Sequence, residues 1–469
     1  MTLEYVGVLA LVIGLIGLWR PSSFIVYCFV SSTLLGSAAA FVLDALGGTN
    51  ISPSHLLLGF LTLRLLGDKE LAATAGRQIT FGRPGFWLLV TVFYSLIGAF
   101  CLPRLLAGDT QIFAVRASTP FSVPLAPSMS NLTQSIYFTA DLVCFIVLSA
   151  YASTAQGTRI LATAALFAAG LNLTFAVLDL ATYFTNTTEL FEPIRNANYA
   201  MLDEAEVAGL KRIVGSFTEA SAFASATLCY FAFTSRLWLL GIKPRLTFPL
   251  ALLSFLAVIL ATSSTGYVGL AALLGIAYLQ ALWRVLTRPT TTQMQSFVYG
   301  APFVIVITIL LVSLNQQYSM YVENFLNGVL FDKLSTASGI ERSSWNTQAL
   351  QNFVDTFGFG VGNGSVRASS FPVAVLASTG VIGTLLFGAF FVTLFRARND
   401  QLSAIENAYR DAARMACLSV LITASISGAL VDLGLPFYIF ASLCSAQRLR
   451  LTSAKQEPSL TKVLSQSVS

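Results

Sequence analysis

The sequence predicts an all-α polytopic membrane protein with about 13 transmembrane helices (roughly 12 to 14). Of its 469 residues, 55% are hydrophobic and 10% are charged, whereas soluble domains carry roughly 25% charged residues. Mean hydropathy is +0.73. Apolar segments of about 18 residues recur along the whole chain, which is the length a helix needs to cross the hydrocarbon core. The alternating pattern of barrel strands is absent. We therefore expect a bundle of helices.

The predicted spans occupy residues 1–447, which we treat as a single transmembrane domain, and residues 448–469 form a polar tail. The spans are Leu3–Trp19, Phe24–Val42, Ile51–Leu66, Gly85–Leu102, Ile136–Ala152, Ile160–Phe184, Phe217–Thr234, Leu246–Thr262, Gly266–Trp283, Phe297–Leu314, Phe371–Phe395, Met415–Val431 and Leu433–Ser445. The third and the last are the weakest. The first lacks a positive n-region and a cleavage site, so we expect a retained helix, not a signal peptide.

The basic residues predict the orientation of these spans. Of the 27 Lys and Arg residues, 18 fall in one set of alternate loops and 8 in the other, while Arg64 lies inside a span. The loops rich in Lys and Arg face the cytoplasm. This places the C-terminal tail in the cytoplasm and the N-terminus outside. The outer loops 103–134, 185–216 and 315–370 are the long ones, and long loops usually carry function.

Two outer loops contain apolar residues at helical spacing, which predicts amphipathic helices in the interface plane. In 185–216 they run from Leu190 to Ala208, and in 315–370 from Tyr318 to Leu330. The remainder of 315–370 is polar and ends in the glycine-rich run Gly358–Gly364, which predicts a tight turn before the next span. It lacks the Lys-Ser/Thr of a phosphate-binding P-loop. The loop 103–134 shows no periodicity and is expected to cover the surface.

Several chemistries are disfavoured by composition. The six cysteines lie in or beside apolar spans without a C-x-x-C pair, so neither a disulfide framework nor a zinc site is expected. The lone histidine, His55, is expected at the membrane interface. No basic stripe of the kind that binds nucleic acid is present. We expect no metal, no cofactor and no nucleic-acid partner.

Outer cations are the first candidates for chemistry because they run against the positive-inside rule. Arg212, next to Lys211, precedes the seventh span, while Arg342 and Arg367 lie in the last outer loop. Guanidinium groups match phosphate geometry bidentately, so a cluster of them could hold a diphosphate head group. The alternative is interfacial snorkelling or a loop salt bridge.

Acidic residues inside predicted spans are the second candidates, because a buried carboxylate in a membrane is costly. Glu219 lies near the outer end of its span and could serve as a general base, or it could form an ion pair within the bundle. Asp141 and Asp179 are expected to be structural.

Three motifs resemble the superfamily of O-antigen polymerases and O-antigen ligases. They are Arg342-Ser343-Ser344-Trp345 with Phe359-Gly360-Val361-Gly362-Asn363-Gly364-Ser365, then Ser378-Thr379-Gly380-Val381-Ile382-Gly383, and Arg212-x-x-Gly215-x-Phe217-x-Glu219. Ser264-Thr265-Gly266-Tyr267 stands where many members have S-R-[TG]-G. The resemblance covers roughly residues 205–395. It implies a GT-C-like helical fold and metal-independent transfer of glycan from undecaprenyl diphosphate.

Site residues follow from the resemblance where the motifs match. Arg342 and Arg212 would hold the diphosphate as it leaves, and Glu219 is our own candidate for the base. Arg367, Lys211, Trp345 and Glu341 are the expected substrate contacts. Two departures stand out: ligases carry a histidine shortly after the glycine run, where this chain has Ala368-Ser369-Ser370-Phe371, and Thr265 replaces the arginine of S-R.

We therefore expect a polymerase that joins undecaprenyl-diphosphate-linked oligosaccharide repeat units at the outer face of a bacterial cytoplasmic membrane. Its expected partners are that lipid-linked oligosaccharide, the lipid bilayer, a flippase and a chain-length regulator. Two alternatives stay open: an O-antigen-type ligase that uses another acceptor, and a non-enzymatic transporter or flippase of lipid-linked oligosaccharide.

Overall fold

The computed structural model describes residues 2–43, 48–115, 121–198, 201, 206–207, 210–328, 336–397 and 401–447. The predicted tail 448–469 lies outside this part of the chain. The α-helices are α1 (Tyr5–Trp19), α2 (Ser22–Ser32), α3 (Pro53–Leu66), α4 (Lys69–Gln78), α5 (Pro84–Leu105), α6 (Met129–Ala152), α7 (Ala155–Phe184), α8 (Ala220–Leu239), α9 (Pro244–Leu260), α10 (Ser264–Thr287), α11 (Thr292–Ser313), α12 (Gln316–Leu326), α13 (Ala337–Asp355), α14 (Phe371–Arg396), α15 (Ala404–Ser427) and α16 (Leu435–Cys444).

Membrane-length helices confirm the predicted class. Among the described residues, α5, α6, α7, α10, α11 and α14 are long and apolar enough to cross a bilayer, while α1, α2, α3, α9 and α16 are apolar but shorter. Each predicted span overlaps one of the helices. The chain is therefore a mostly helical membrane protein.

The core forms where small residues let helices approach and aromatic rings fill the space between them. α8 packs against α9, α10 and α15, α5 packs against α14, and α6 packs against α16. Ala162, Ala165 and Ala169 of α7 are fully buried. Phe387 of α14 stacks on Phe391 at a centroid distance of 4.7 Å. This core fixes the N-terminal ends of α8, α10 and α14 relative to one another, because α15 packs against all three helices.

The second predicted span is wrong in its outer half. The helix ends at Ser32, and the chain continues into a three-stranded antiparallel sheet of β1 (Thr2–Leu3), β2 (Phe41–Leu43) and β3 (Thr49–Ile51). The Ser37 hydroxyl donates to the Ser216 carbonyl at 2.9 Å. A Cβ at Gly36 would lie 2.8 Å from the Phe217 ring. The apolar segment leaves the helical conformation because it packs against the outer loop before α8.

The outer loop 185–216 also differs from prediction. Its described part contains a 3₁₀ helix, Thr188–Ile194, and a hairpin of β6 (Glu206–Val207) and β7 (Leu210–Lys211). The expected amphipathic α-helix is not formed in this part; Pro193, which cannot donate a backbone hydrogen bond, lies in the 3₁₀ helix.

The outer loop 315–370 is more helical than expected. The predicted amphipathic helix is present as α12, although Val329 and Leu330 lie outside the described residues. The polar stretch that follows, for which the sequence predicted no secondary structure, forms α13, and the Thr336 side chain caps this helix by accepting the Gly339 N–H. This helix carries three of the predicted site residues.

The loop 103–134 is part of the packed structure and does not simply cover the surface. It contains a hairpin of β4 (Gln111–Ile112) and β5 (Val123–Pro124). Ile112 and Leu125 are buried in a small apolar cluster with Ala349 of α13 and Val361. The hairpin is therefore a support for α13.

Helix α11 stands apart from the bundle. Only 6% of its most apolar 18-residue stretch is buried in the protein, and the side chains of residues 303–307 and 309–311 are all exposed. Its packed residues, Met294 and Val298, lie in the first two turns. The rest of the helix presents apolar side chains in all directions.

Candidate functional site

The segment that carries Arg212 is held by a buried carboxylate. Asp179 of α7 is 2% exposed, and its Oδ2 accepts the backbone N–H groups of Val214 at 2.8 Å and Gly215 at 3.1 Å. Its Oδ1 receives Arg195 Nη2 at 2.7 Å and lies 4.0 Å from Lys211 Nζ. Asp179 therefore has the structural role that the sequence predicts, and it fixes the backbone immediately after Arg212.

Glu219 is the N-cap residue of α8, in extended conformation. Its carboxylate accepts a hydrogen bond from the Ser221 hydroxyl. The first turn of α10 packs against α8 just below it, because a Cβ at Gly266 would lie 2.9 Å from Ala224 Cβ. Tyr267, in this first turn, interacts electrostatically with Arg212, and its hydroxyl donates to the Ile259 carbonyl at 2.7 Å. The turn between α9 and α10 is residues 261–263, and Ser264, Thr265 and Gly266, which the sequence suggested as part of a turn, form the first turn of α10 instead.

Helix α13 is tied to the surrounding loops by side-chain amides. Asn352 Nδ2 donates to the Gln111 carbonyl at 2.6 Å and to the Thr110 hydroxyl at 2.8 Å. Asn346 Oδ1 accepts the backbone N–H of Ser369 at 2.7 Å. These bonds fix the face of α13 that carries Arg342 and Trp345, one turn apart.

The glycine-rich run is a structural turn, as the sequence predicts. Its glycines at 358, 360, 362 and 364 all have φ between +81° and +89°, a conformation that side chains disfavour. The Val361 N–H donates to the Ala377 carbonyl at 2.9 Å, and the Val381 N–H donates to the Gly358 carbonyl at 2.9 Å. The run thus packs backbone to backbone on a kink of α14 at Gly380 and places Arg367 beside Trp345 of α13.

Arg367 lies over the ring of Trp345, with Cζ 3.9 Å from the ring centroid. Its backbone N–H donates to the Phe113 carbonyl at 2.8 Å. Burial lowers the pKa of Arg367, the Glu341 carboxylate raises it, Arg342 lowers it and Glu219 raises it again. The side chain is therefore in electrostatic contact with both α13 and the start of α8.

Arg212 faces the same group of residues from the other side. Burial lowers its pKa, Glu219 and Tyr267 raise it, and the Arg342 guanidinium lowers it. An arginine keeps its charge throughout such shifts. We call Arg212, Glu219, Glu341, Arg342 and Arg367 the outer charge cluster.

The cluster contains most of the predicted site residues, but Lys211 points elsewhere. Its side chain is 3% exposed, pairs with Asp179 and lies 5.4 Å from the Tyr183 ring centroid. Trp345 belongs to the cluster through Arg367. Tyr267 was not predicted to be a site residue, although it ends the motif Ser264-Thr265-Gly266-Tyr267 that entered the family comparison.

The electrostatics of the cluster favour an anion. Three guanidinium groups face two carboxylates, which leaves one net positive charge at a partly buried position. Arg212 Nε is buried and has no acceptor among the described residues. The N-termini of α8 and α10 add a positive potential from their free N–H groups. An anion with several oxygens would supply the hydrogen-bond acceptors and the negative charge that this arrangement lacks.

Asp141 and His55 form a separate group away from the arginines. Asp141 is buried and interacts with the carboxyl group of Asp432, which also interacts with His55. His55 Nδ1 lies 2.7 Å from the Ser52 hydroxyl, at the outer end of α3. Its ring lies 5.0 Å from the ring of Tyr137.

No protein-family model matches this chain, and no curated protein matches it.

Proposed function

We propose that this protein is a metal-independent glycosyltransferase that polymerises undecaprenyl-diphosphate-linked oligosaccharide repeat units. The observation that carries the proposal is the convergence of Arg212, Arg342 and Arg367 with Glu219 on one boundary of a helical membrane protein. The three arginines come from segments far apart in sequence, and bringing like charges together costs free energy unless an anion binds among them.

The proposed reaction is a single displacement. The growing glycan is held on the donor diphosphate, and a hydroxyl at the non-reducing end of a second lipid-linked unit attacks its anomeric carbon. The bond from that carbon to the phosphate oxygen breaks as the new glycosidic bond forms, with inversion at the carbon. The hydroxyl proton passes to Glu219, and the lipid diphosphate leaves with its additional negative charge.

The arginines contribute most in the transition state, when charge develops on the leaving oxygen. Donors that are already oriented toward that charge stabilise it without reorganisation. The guanidinium of Arg367 lies over the ring of Trp345, with Cζ 3.9 Å from the ring centroid, so one of these donors is positioned before substrate binds. Removal of one such donor typically costs about 2.7–4 kcal/mol of transition-state stabilisation.

The orientation that supports this chemistry is part of the proposal. We propose that all thirteen apolar segments cross or enter the membrane, with the cluster on the extracytoplasmic side of a bacterial cytoplasmic membrane. The distribution of Lys and Arg supports that orientation, because this side carries 8 basic residues against 18 on the other. The flippase and the chain-length regulator remain proposed partners.

The decisive test is the chain length of the product made by purified protein from a defined lipid-linked repeat unit. Arg342→Ala and Arg212→Ala should abolish long chains. Arg104→Ala is the matched control, because Arg104 is exposed on the same side and bonds only the Phe100 carbonyl in its own helix among the described residues. Normal chain length in both site variants refutes the proposal.

Reducing-end analysis separates the ligase from the polymerase. A product attached to lipid A-core or protein identifies a ligase, whereas a product attached to undecaprenyl diphosphate identifies a polymerase. The histidine that ligases carry after the glycine run is absent from this sequence, which favours the polymerase. A transporter is identified by lipid-linked units that accumulate inside the cell when the protein is deleted.

A further inference from the structure

A buried carboxyl group lies halfway along α6. Asp141 is 1% exposed, and both of its carboxyl oxygens are buried without a hydrogen-bond donor among the described residues. A carboxylate in such a position costs free energy, because it has lost its water and has gained no donor in exchange. The carboxyl group of Asp141 therefore needs something that neutralises it.

The charged group that acts on Asp141 is a second carboxyl. Asp432, in the linker between α15 and α16, makes a side-chain hydrogen-bonding contact with Asp141, and its Oδ1 also accepts the Gly434 N–H at 2.5 Å. Ionised carboxylates have only acceptor oxygens, so two of them cannot bond to each other. The contact requires a proton on one of the two, because adjacent like charges in a buried site do not both ionise.

The surrounding titratable groups supply no permanent cation. Tyr438 of α16 is 0% exposed, and its hydroxyl is buried without a hydrogen-bond partner among the described residues, yet it interacts electrostatically with both carboxyl groups. His55 of α3 interacts with Asp432, and Cys144 of α6 interacts with Asp141. In the described part of the chain, the groups that act on Asp141 include no Lys or Arg and no side chain of α4, α5 or α7, which also pack against α6.

The enclosure of the two carboxyl groups favours a proton over a metal ion. Both oxygens of Asp141 have almost no accessible surface, whereas a calcium ion, for example, takes about six to eight oxygen ligands. The described residues contain no group of three or more His, Cys, Asp or Glu side chains that could hold a metal ion. A proton between two carboxyl oxygens needs no cavity.

The linker that carries Asp432 also contacts the segment beside the outer charge cluster. Its Ala429 carbonyl accepts the N–H of Ala368 at 3.3 Å, and Ala368 directly follows Arg367. A change in the distance between Asp432 and α6 therefore acts on the backbone next to Arg367.

We propose that Asp141 and Asp432 share one proton at neutral pH and form a proton-binding site that holds the linker before α16 against α6. Loss of the proton leaves two carboxylates in contact, and their repulsion separates the linker from α6. The carboxyl groups of the unfolded chain are ionised above about pH 4, so the folded protein binds one proton more, and its stability falls as the pH rises. The inference does not depend on the proposed glycosyl transfer.

Infrared difference spectroscopy of the purified full chain tests for the proton directly. At neutral pH the wild type should show the C=O stretching band of a protonated carboxyl group, and Asp141→Asn and Asp432→Asn should each lose this band. Either asparagine provides a donor for the remaining carboxylate, so the contact between α6 and the linker is kept. Asp109→Asn is the matched control, an exposed acid, and should leave the band unchanged.

The pH dependence of thermal unfolding measures the same proton independently. One additional bound proton lowers the folding equilibrium constant about tenfold per pH unit, which lowers the midpoint by about 1–2 °C per pH unit for a chain of 469 residues. The wild type should show this additional fall relative to Asp141→Asn between about pH 5 and pH 7. His55 titrates in the same range, so the difference should persist when both proteins also carry His55→Gln.

Three outcomes overturn the proposal. The first is a carboxyl band that remains in both asparagine variants, and the second is a midpoint that depends on pH equally in the wild type and in Asp141→Asn. The third is a midpoint that rises in the wild type, but not in Asp141→Asn, when sodium replaces choline in the buffer, because the two carboxylates then hold a metal cation and not a proton.

Discussion

Replacing Asp179 by asparagine should destabilise the protein and remove activity together. Asp179 is 2% exposed, and its partners Arg195 and Lys211 have side chains that are only 7% and 3% exposed. Asparagine preserves the shape of the residue but leaves two buried cations with less compensating charge. Breaking a buried pair in this way costs about 3–5 kcal/mol.

The loss can be converted into a temperature shift. With an unfolding entropy of about 2.1 cal/mol/K per residue, the 469 residues correspond to roughly 1 kcal/mol/K, so the midpoint should fall by about 3–5 °C. The assay is thermal unfolding of detergent-purified protein, followed by intrinsic fluorescence. Asp109→Asn, an exposed acid on the same predicted side, should leave the midpoint unchanged within about 1 °C.

A double-mutant cycle tests the physical reason. Arg195→Gln removes one of the two cations, so its combination with Asp179→Asn should be less destabilising than the sum of the two single changes, by about 1–3 kcal/mol. Additive effects would refute the buried-pair argument. An unaltered midpoint for Asp179→Asn, with normal polymer length, would refute the claim that this carboxylate positions the Arg212 segment.

Three further outcomes are expected. Gly364→Ala should lower the free energy of unfolding by more than about 2 kcal/mol, because the new Cβ would lie 2.3 Å from the Ser130 carbonyl oxygen. The control Gly108→Ala has a similar φ but open space around the Cβ, so it should cost only about 1 kcal/mol. Equal unfolding midpoints for the two variants would contradict this. Trp345→Ala should weaken donor binding by about 0.5–2 kcal/mol, seen as a higher KM, with Trp345→Phe in between; a KM unchanged by both would show that the stacking has no role. Polymerisation by purified protein should persist in excess EDTA, and its loss, with recovery on adding a divalent cation, would show that the reaction needs a metal.

The length of the apolar segments and the low content of charged residues predicted the class of the protein well, because both follow from the bilayer alone. The ends of the helices were less predictable. Phe24–Val42 is mostly apolar, yet its second half leaves the helix because Ser37 and Gly36 pack against a loop almost 180 residues later in the chain. Such long-range contacts leave no periodic pattern in the sequence.

The outer charge cluster was likewise only partly predictable from the sequence. Arg212, Arg342 and Arg367 could be selected from the sequence because cations on the sparsely charged side need a reason to be there. The convergence of these arginines could not be predicted from the sequence, because it depends on α13, a polar helix without a clear apolar face. Its position is set by Asn346 and Asn352, which bond to backbone groups of distant loops.

The isolation of α11 has a consequence for how its sequence can vary. A side chain packed against protein must match the shape of its neighbours, whereas lipid tails rearrange around any apolar outline. Exchanges among leucine, isoleucine, valine and phenylalanine at residues 303–311 therefore leave no cavity behind. Over this stretch the sequence is constrained by the hydrophobicity and the length of the helix, and hardly at all by which apolar residue occupies each position.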